Sequence, residues 1–240
     1  MTPTFTILIV LTSHATLGAT GRPTGFYLSE VAHPWRVFRE AGCRVDLVSP
    51  AGGRPPMDGE DLSDPIQSEF LRDPEMSAKL DHTPAPDRID PAHYDAIFFA
   101  GGHGTMWDFR DNAELVRLAA EVYERGGVVA AVCHGPAALV NVTLSDGSAL
   151  VADRAVTAFT NAEEAAAGLT DVVPFALQTA LELRGARYSG SANFTAHVVA
   201  DGRLVTGQNP ASATGTAEAV LGALRASSPD DPSALVSEVS

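Results

Sequence analysis

Four short, continuous apolar runs that each end in a turn constrain the fold of this chain more than any other feature. They are "FTILIVL" at 5–11, "RVDLVSP" at 44–50, "YDAIFFAGGHG" at 94–104 and "GGVVAAVCHGP" at 126–136. A strand covered on both faces reads as such a run rather than as an alternation, and strands of that kind belong to parallel sheets. Between the first two runs, Leu28, Val31, Trp35 and Phe38 recur at three- and four-residue spacing from about Phe26 to Ala41, and Gly42 closes the pattern as a helix end. Strand, helix and strand in that order imply a right-handed βαβ unit.

The expected fold is therefore α/β and flavodoxin-like: a doubly wound, mostly parallel sheet with helices on both faces. At 240 residues the economical division is one domain over 1–226, with a surface insertion at 51–92 and a flexible tail at 227–240. The insertion is rich in Pro and Asp and carries one helical pattern near 66–80. Further on, the sequence predicts a helix over about 112–125, a weaker strand around 149–157, a helical stretch at 171–186, a hairpin at 197–207 and a helix over 210–225. The tail is Ser-, Pro- and Asp-rich.

Charge narrows the partners. Sixteen Lys and Arg stand against 30 Asp and Glu, a formal net charge of −14 that repels phosphate backbones and anionic membranes. Neither nucleic acid nor a membrane is expected as a partner. The run at 5–11 is too short to span a bilayer and lacks a basic leader, so the expected location is the cytoplasm. Two cysteines, Cys43 and Cys133, make no disulfide framework.

The sharpest chemical signal is "AVCHGPAAL", where an apolar strand stops at Cys133 and is followed by His134, Gly135, Pro136 and an alanine-rich helix start. This is the layout of a nucleophile elbow, a strained turn that projects its side chain above the strand ends, beside the N–H groups and positive dipole end of the next helix. Such a setting favours a thiolate. One βα unit earlier, "AGGHGTMWD" lets main-chain N–H groups of Gly102 and His103 approach a ligand closely, and with His134 they are the candidate oxyanion-hole donors. The other histidines, His14, His33, His82 and His93, show no ligand spacing, so no required metal is expected; as a separate expectation, the chain takes no cofactor. Cys43 reads as a core residue, and Trp35 and Trp107 as packing or pocket residues.

Six segments together resemble the superfamily of PfpI-type proteases and the Parkinson-disease protein, whose fold is that of class I glutamine amidotransferases, in its branch of heat-shock-type glyoxalase III proteins. They are "TGFYLSEVAHPW" (24–35), "GCRVDLVSPAGG" (42–53), "FFAGGHGTMWDF" (98–109), "AAVCHGPAAL" (130–139), "AVTAFTNAEE" (155–164) and "DGRLVTGQNPAS" (201–212). The resemblance implies a Cys-His-acid triad of Cys133, His134 and Glu164, with Glu163 the alternative if the register slips by one. It also implies that Glu30 is a carboxylic acid set against the cysteine sulfur. Amide transfer is disfavoured, because His197 is followed by Val198 and Val199 rather than by a His-x-Glu pair.

The function so implied is a glutathione-independent glyoxalase, a D-lactate dehydratase type of lyase that takes a small 2-oxoaldehyde such as methylglyoxal to lactate. The family expectation is a homodimer. A stress chaperone working through apolar surface, and a peptidase or protein deglycase using the same cysteine, are the alternatives.

Overall fold

The computed structural model describes residues 5–227 of the chain. Its central sheet is built from β1 (Thr6–Val10), β2 (Arg44–Val48), β3 (Ala96–Phe99), β4 (Val128–Val132), β5 (Val198–Asp201) and β6 (Leu204–Gly207). The order is β2-β1-β3-β4-β6-β5, parallel throughout except where β6 turns back against β5 as the expected hairpin. This is the flavodoxin-like α/β arrangement.

Every residue of β3 and β4 is buried, as the unbroken apolar runs require. Successive side chains leave opposite faces of a strand. Ile7, Ile9, Phe98, Ala130, Val132 and Val205 accordingly pack under one layer, helices α1 (Ser29–Glu40), α2 (Pro65–Arg72) and α3 (Pro74–Asp81). Leu8, Val10, Ile97, Phe99, Val129 and Leu204 pack under the other layer, which includes α4 (Ala113–Glu124). Two short helices, α5 (Asn161–Ala166) and α6 (Leu177–Leu183), follow β4, and α7 (Ala213–Ala226) returns to the face of α1.

Three expectations need correction. The first helix starts at Ser29 rather than near Phe26, because Phe26 and Tyr27 are drawn into a two-residue parallel ladder with Met57 and Asp58. The single helix expected near 66–80 is two: Asp73 has extended backbone before Pro74, ends α2 and caps α3 with its side chain. Phe70, Met76 and Leu80 of this segment are buried in the core beside Trp35. The strand expected at 149–157 shrinks to Ala155–Val156, paired with Arg187–Tyr188. Except for Ser227, the expected tail lies outside the described residues.

Candidate active site

The site forms where β4 ends. Cys133 has φ +60°, a left-handed conformation that few residues with a side chain adopt. It is held there from both sides. Its N–H donates to Gly207 O at 2.9 Å, and its carbonyl accepts from Phe159 N–H at 2.8 Å. Gly135 then passes so close to β3 that a β-carbon would lie 2.2 Å from Phe99 O. The chain continues not into the expected α-helix but into a five-residue 3₁₀ turn, Gly135–Leu139. The main-chain N–H groups of Gly102 and His134 act in favour of the Cys133 thiolate, but less than burial and Glu30 act against it. The thiol itself is enclosed rather than projecting freely, since Cys133 is only 4% exposed.

Glu30, the second residue of α1, is completely buried against this thiol. Its Oε2 accepts from Gly101 N–H at 2.9 Å, Oε1 has no hydrogen-bond partner, and Cys133 is the side chain whose interaction shifts the carboxyl. Gly101 has no room for anything more, because a β-carbon there would lie 2.4 Å from Glu30 Oε2 and 2.9 Å from Cys133 Cβ. Burial pushes the Glu30 carboxyl up to about 8, against the hydrogen bonds from Cys133 and Gly101. Burial also pushes the Cys133 thiol up, and the charge of Glu30 adds to it. That second cause disappears once Glu30 carries its proton, and the carboxyl then becomes a donor to sulfur.

The imidazole of His134 lies between thiol and acid. Nδ1 is 3.3 Å from Cys133 Sγ, and Nε2 is 2.8 Å from Glu164 Oε2. The other oxygen of Glu164 accepts from His103 Nε2 at 3.0 Å. Burial alone would raise Glu164, but the hydrogen bonds from His103 and His134 outweigh it and bring the carboxyl down to about 2. An ionised carboxylate only accepts, so both imidazoles carry their proton on Nε2. His134 therefore presents an unprotonated Nδ1 to the thiol. Burial, and then His103, lower its pKa to about 4 despite Glu164, which keeps the ring neutral with the lone pair of Nδ1 free.

Of the two neighbouring glutamates it is Glu164 that reaches His134. Glu163 is fully buried elsewhere, accepting from Thr160 N–H, Phe194 N–H and Asn209 Nδ2 at 2.9, 2.7 and 2.9 Å. It closes a capping box with Thr160 and pins the loop that carries Phe194. The nitrogens of His103 and His134 and the Glu164 carboxylate lie within 4.8 Å of one another, near enough to ligate a metal. With both Nε2 atoms protonated toward Glu164, however, those nitrogens have no lone pair to give. Among the other histidines, His33 pairs with Asp64 at 2.6 Å and His14 stacks on Trp107 at 4.9 Å. Cys43 is half-buried against the core.

Three contributors were not read from the sequence. Gly101 supplies the N–H that holds Glu30, Phe159 packs its ring 4.3 Å from His134, and His103 enters through its ring, although it was singled out for its main-chain N–H. The double glycine at 101–102 was the available signal for the first. The other two depend on contacts between distant segments.

Comparison with known proteins agrees with this fold. The model of the DJ-1/PfpI family matches residues 23–223. Glyoxalase 3 of Candida albicans is 36% identical over 90% of this chain and 97% of its own length. Glutathione-independent glyoxalase HSP31 of Saccharomyces cerevisiae is 31% identical over 91% of this chain and 98% of its own. The solved structure of glyoxalase III from Candida albicans superposes with a TM-score of 0.85 at 33% identity, covering 91% of this chain and 97% of that one. An elbow cysteine, a buried acid beside it and a match along nearly the whole chain lead to one assignment: the chain belongs to the DJ-1/PfpI family.

Proposed function

We propose that this chain is a glutathione-independent glyoxalase that converts methylglyoxal, or a similar small 2-oxoaldehyde, to the 2-hydroxy acid with Cys133 as nucleophile. The observation that carries the reading is the placement of Cys133 Sγ between a base, His134 Nδ1 at 3.3 Å, and the buried carboxyl of Glu30. The names of the relatives support the reaction class.

In the proposed sequence His134 Nδ1 takes the thiol proton and the sulfur adds to the aldehyde carbon, giving a hemithioacetal. Its oxyanion is met by the N–H groups of Gly102 and His134, with His103 N–H as the further candidate. Loss of the proton on that carbon gives an enediol, and protonation of the neighbouring carbon completes an internal redox exchange. The former aldehyde carbon is oxidised to a thioester while the ketone carbon is reduced to an alcohol, so no external electron carrier is needed. Glu30, able to hold a proton near neutral pH, is the group proposed to give that proton to the hemithioacetal oxygen and, as the carboxylate so formed, to move the carbon-bound proton between the two carbons. Water then cleaves the thioester and restores the thiol. No step draws on a metal or cofactor.

The 4% exposure of Cys133 supports a small aldehyde over a polypeptide, which bears against the peptidase alternative. A homodimer in the cytoplasm remains part of this reading. Its support is the family resemblance; separately, no helix among the described residues is long and apolar enough to cross a membrane. The test is lactate formation from methylglyoxal by purified protein without glutathione. Product from the native protein and none from Cys133→Ala is the expected result; equal product from both, or none from either, overturns the reading.

A further inference from the structure

A Cys-His-acid relay needs one imidazole on its acid, yet here two share it. Glu164 gives Oε2 to His134 at 2.8 Å and Oε1 to His103 at 3.0 Å. The His103 ring also packs on His134, with centroids 4.1 Å apart. It is held firmly, because its loop is tied to the elbow by Thr105, whose Oγ1 donates to both Gly102 O and His134 O at 2.9 and 3.1 Å.

We propose that His103 is a positioning residue: by occupying Glu164 Oε1 it fixes the carboxylate so that His134 stays the Nε2–H tautomer with Nδ1 toward Cys133. The inference rests on the reading of Cys133 as nucleophile and His134 as its base. The physical reason is the terminal torsion of a glutamate, which is broad and nearly two-fold, so one hydrogen bond leaves the carboxylate free to rock about it. Two donors on two oxygens remove that freedom. They also share out its negative charge, which otherwise falls on His134 alone and draws a second proton onto that ring.

The charged and titratable groups facing His134 are Cys133 at the end of β4, Glu163 and Glu164 on α5 and His103 on the loop after β3, with Glu30 of α1 on the far side of the thiol. Of these only His103 disfavours a charge on the His134 ring, and it adds to burial in doing so. Removing it raises the pH below which His134 is protonated and no longer a base, so the acid limb of turnover moves to higher pH. On the steep part of that limb each unit of movement costs about tenfold in rate.

The experiment uses two readouts in the full chain. The pH dependence of methylglyoxal turnover and of Cys133 alkylation by iodoacetamide is measured from pH 4.5 to 8 for native protein, H103F, H103Q, E164Q and H103F/E164Q. Nitrogen NMR of the histidines at pH 7 reports the His134 tautomer without reference to activity. The expected result is an acid limb about one unit higher in H103F, with a mixed His134 tautomer. H103Q, which keeps a donor for Oε1, should lie nearer the native curve. H103F should have no further effect once Glu164 is Gln, since coupling through a shared partner is not additive. Should H103F fail to fold, H103S reads the same lost donor. A superimposable H103F curve, or an equal shift in the E164Q background, overturns the proposal. If the native protein makes no lactate while alkylation and NMR behave as expected, the glyoxalase reading fails and the role of His103 stands.

Discussion

Nδ1 of His134 stands 3.3 Å from the sulfur of Cys133, its immediate neighbour in the chain. Adjacent side chains in a strand leave opposite faces. The left-handed φ of +60° at Cys133 breaks that alternation and turns two consecutive residues into one site. The strain is stabilised by a hydrogen bond to β6 and another from Phe159, so the nucleophile's position depends on the sheet and on the 155–164 segment together.

Substituting Cys133 tests the nucleophile directly. Cys133→Ala should lower turnover by about a thousandfold or more. Because the sulfur is 4% exposed, the change also leaves a small void that costs about 1 kcal/mol. Urea unfolding beside lactate assays separates the two effects; turnover falling only in proportion to folded protein would remove Cys133 from the chemistry.

The paired glutamates should part company. Glu164→Gln removes the negative charge and one of the two oxygens that accept from His134 and His103, and is expected to cost turnover about a hundredfold or more with a small change in stability. Glu163→Gln instead places an amide among three donors, and is expected to cost about 2 kcal/mol and several degrees in Tm with a smaller loss of rate. Comparing kcat and Tm of the two variants decides it, and the opposite ranking would make Glu163 the acid.

The parts of the fold that were legible are those with a local cause. The apolar runs at β1, β3 and β4 are continuous because both sheet faces are covered. The break between α2 and α3 was missed although its cause is local: Asp73 precedes Pro74, and the residue before proline avoids helical backbone. The late start of α1 was not legible, because Phe26 and Tyr27 pair with residues 57–58 across the chain. At the site, the elbow showed in the sequence, but the choice of Glu164 and the placing of Glu30 came from the family resemblance. The His103 ring meets Glu164 across 61 residues, and no local pattern encodes that contact.

Gly101 should tolerate no side chain. A β-carbon there would lie 2.4 Å from Glu30 Oε2, 2.6 Å from Val132 O and 2.9 Å from Cys133 Cβ, so Gly101→Ala must displace acid, strand or nucleophile. The expected cost is about 3 kcal/mol with loss of turnover. Gly126→Ala is the control. Its φ of +92° is strained for alanine but nothing lies within 4 Å of the added carbon, so it should cost about 1 kcal/mol and leave kcat unchanged. Similar activity losses in both would mean that backbone strain, not crowding of Glu30, is what matters.

Glu30 should reveal itself through pH. Its carboxyl titrates near 8 in the fold against 4.5 for an ordinary glutamate, so between those values the native state holds a proton that the unfolded chain has released. Stability from this group therefore falls as pH rises across that window. His134, lowered to about 4 from 6.5, acts in the opposite sense: its contribution is lost as pH falls from 6.5 toward 4. The interval from pH 6.5 to 8 thus isolates Glu30, and there native protein should lose about 2 kcal/mol that Glu30→Gln does not. Urea unfolding at the two pH values measures it. In the same interval the protonated carboxyl is the donor to the thiolate, so Glu30→Leu should slow iodoacetamide alkylation of Cys133 most strongly below pH 8. Above that pH the order of the two rates should reverse, because ionised Glu30 no longer donates and its charge, absent in the variant, opposes the thiolate. Alkylation curves that superimpose, together with equal pH slopes of stability, would leave Glu30 without influence on the sulfur it lies against.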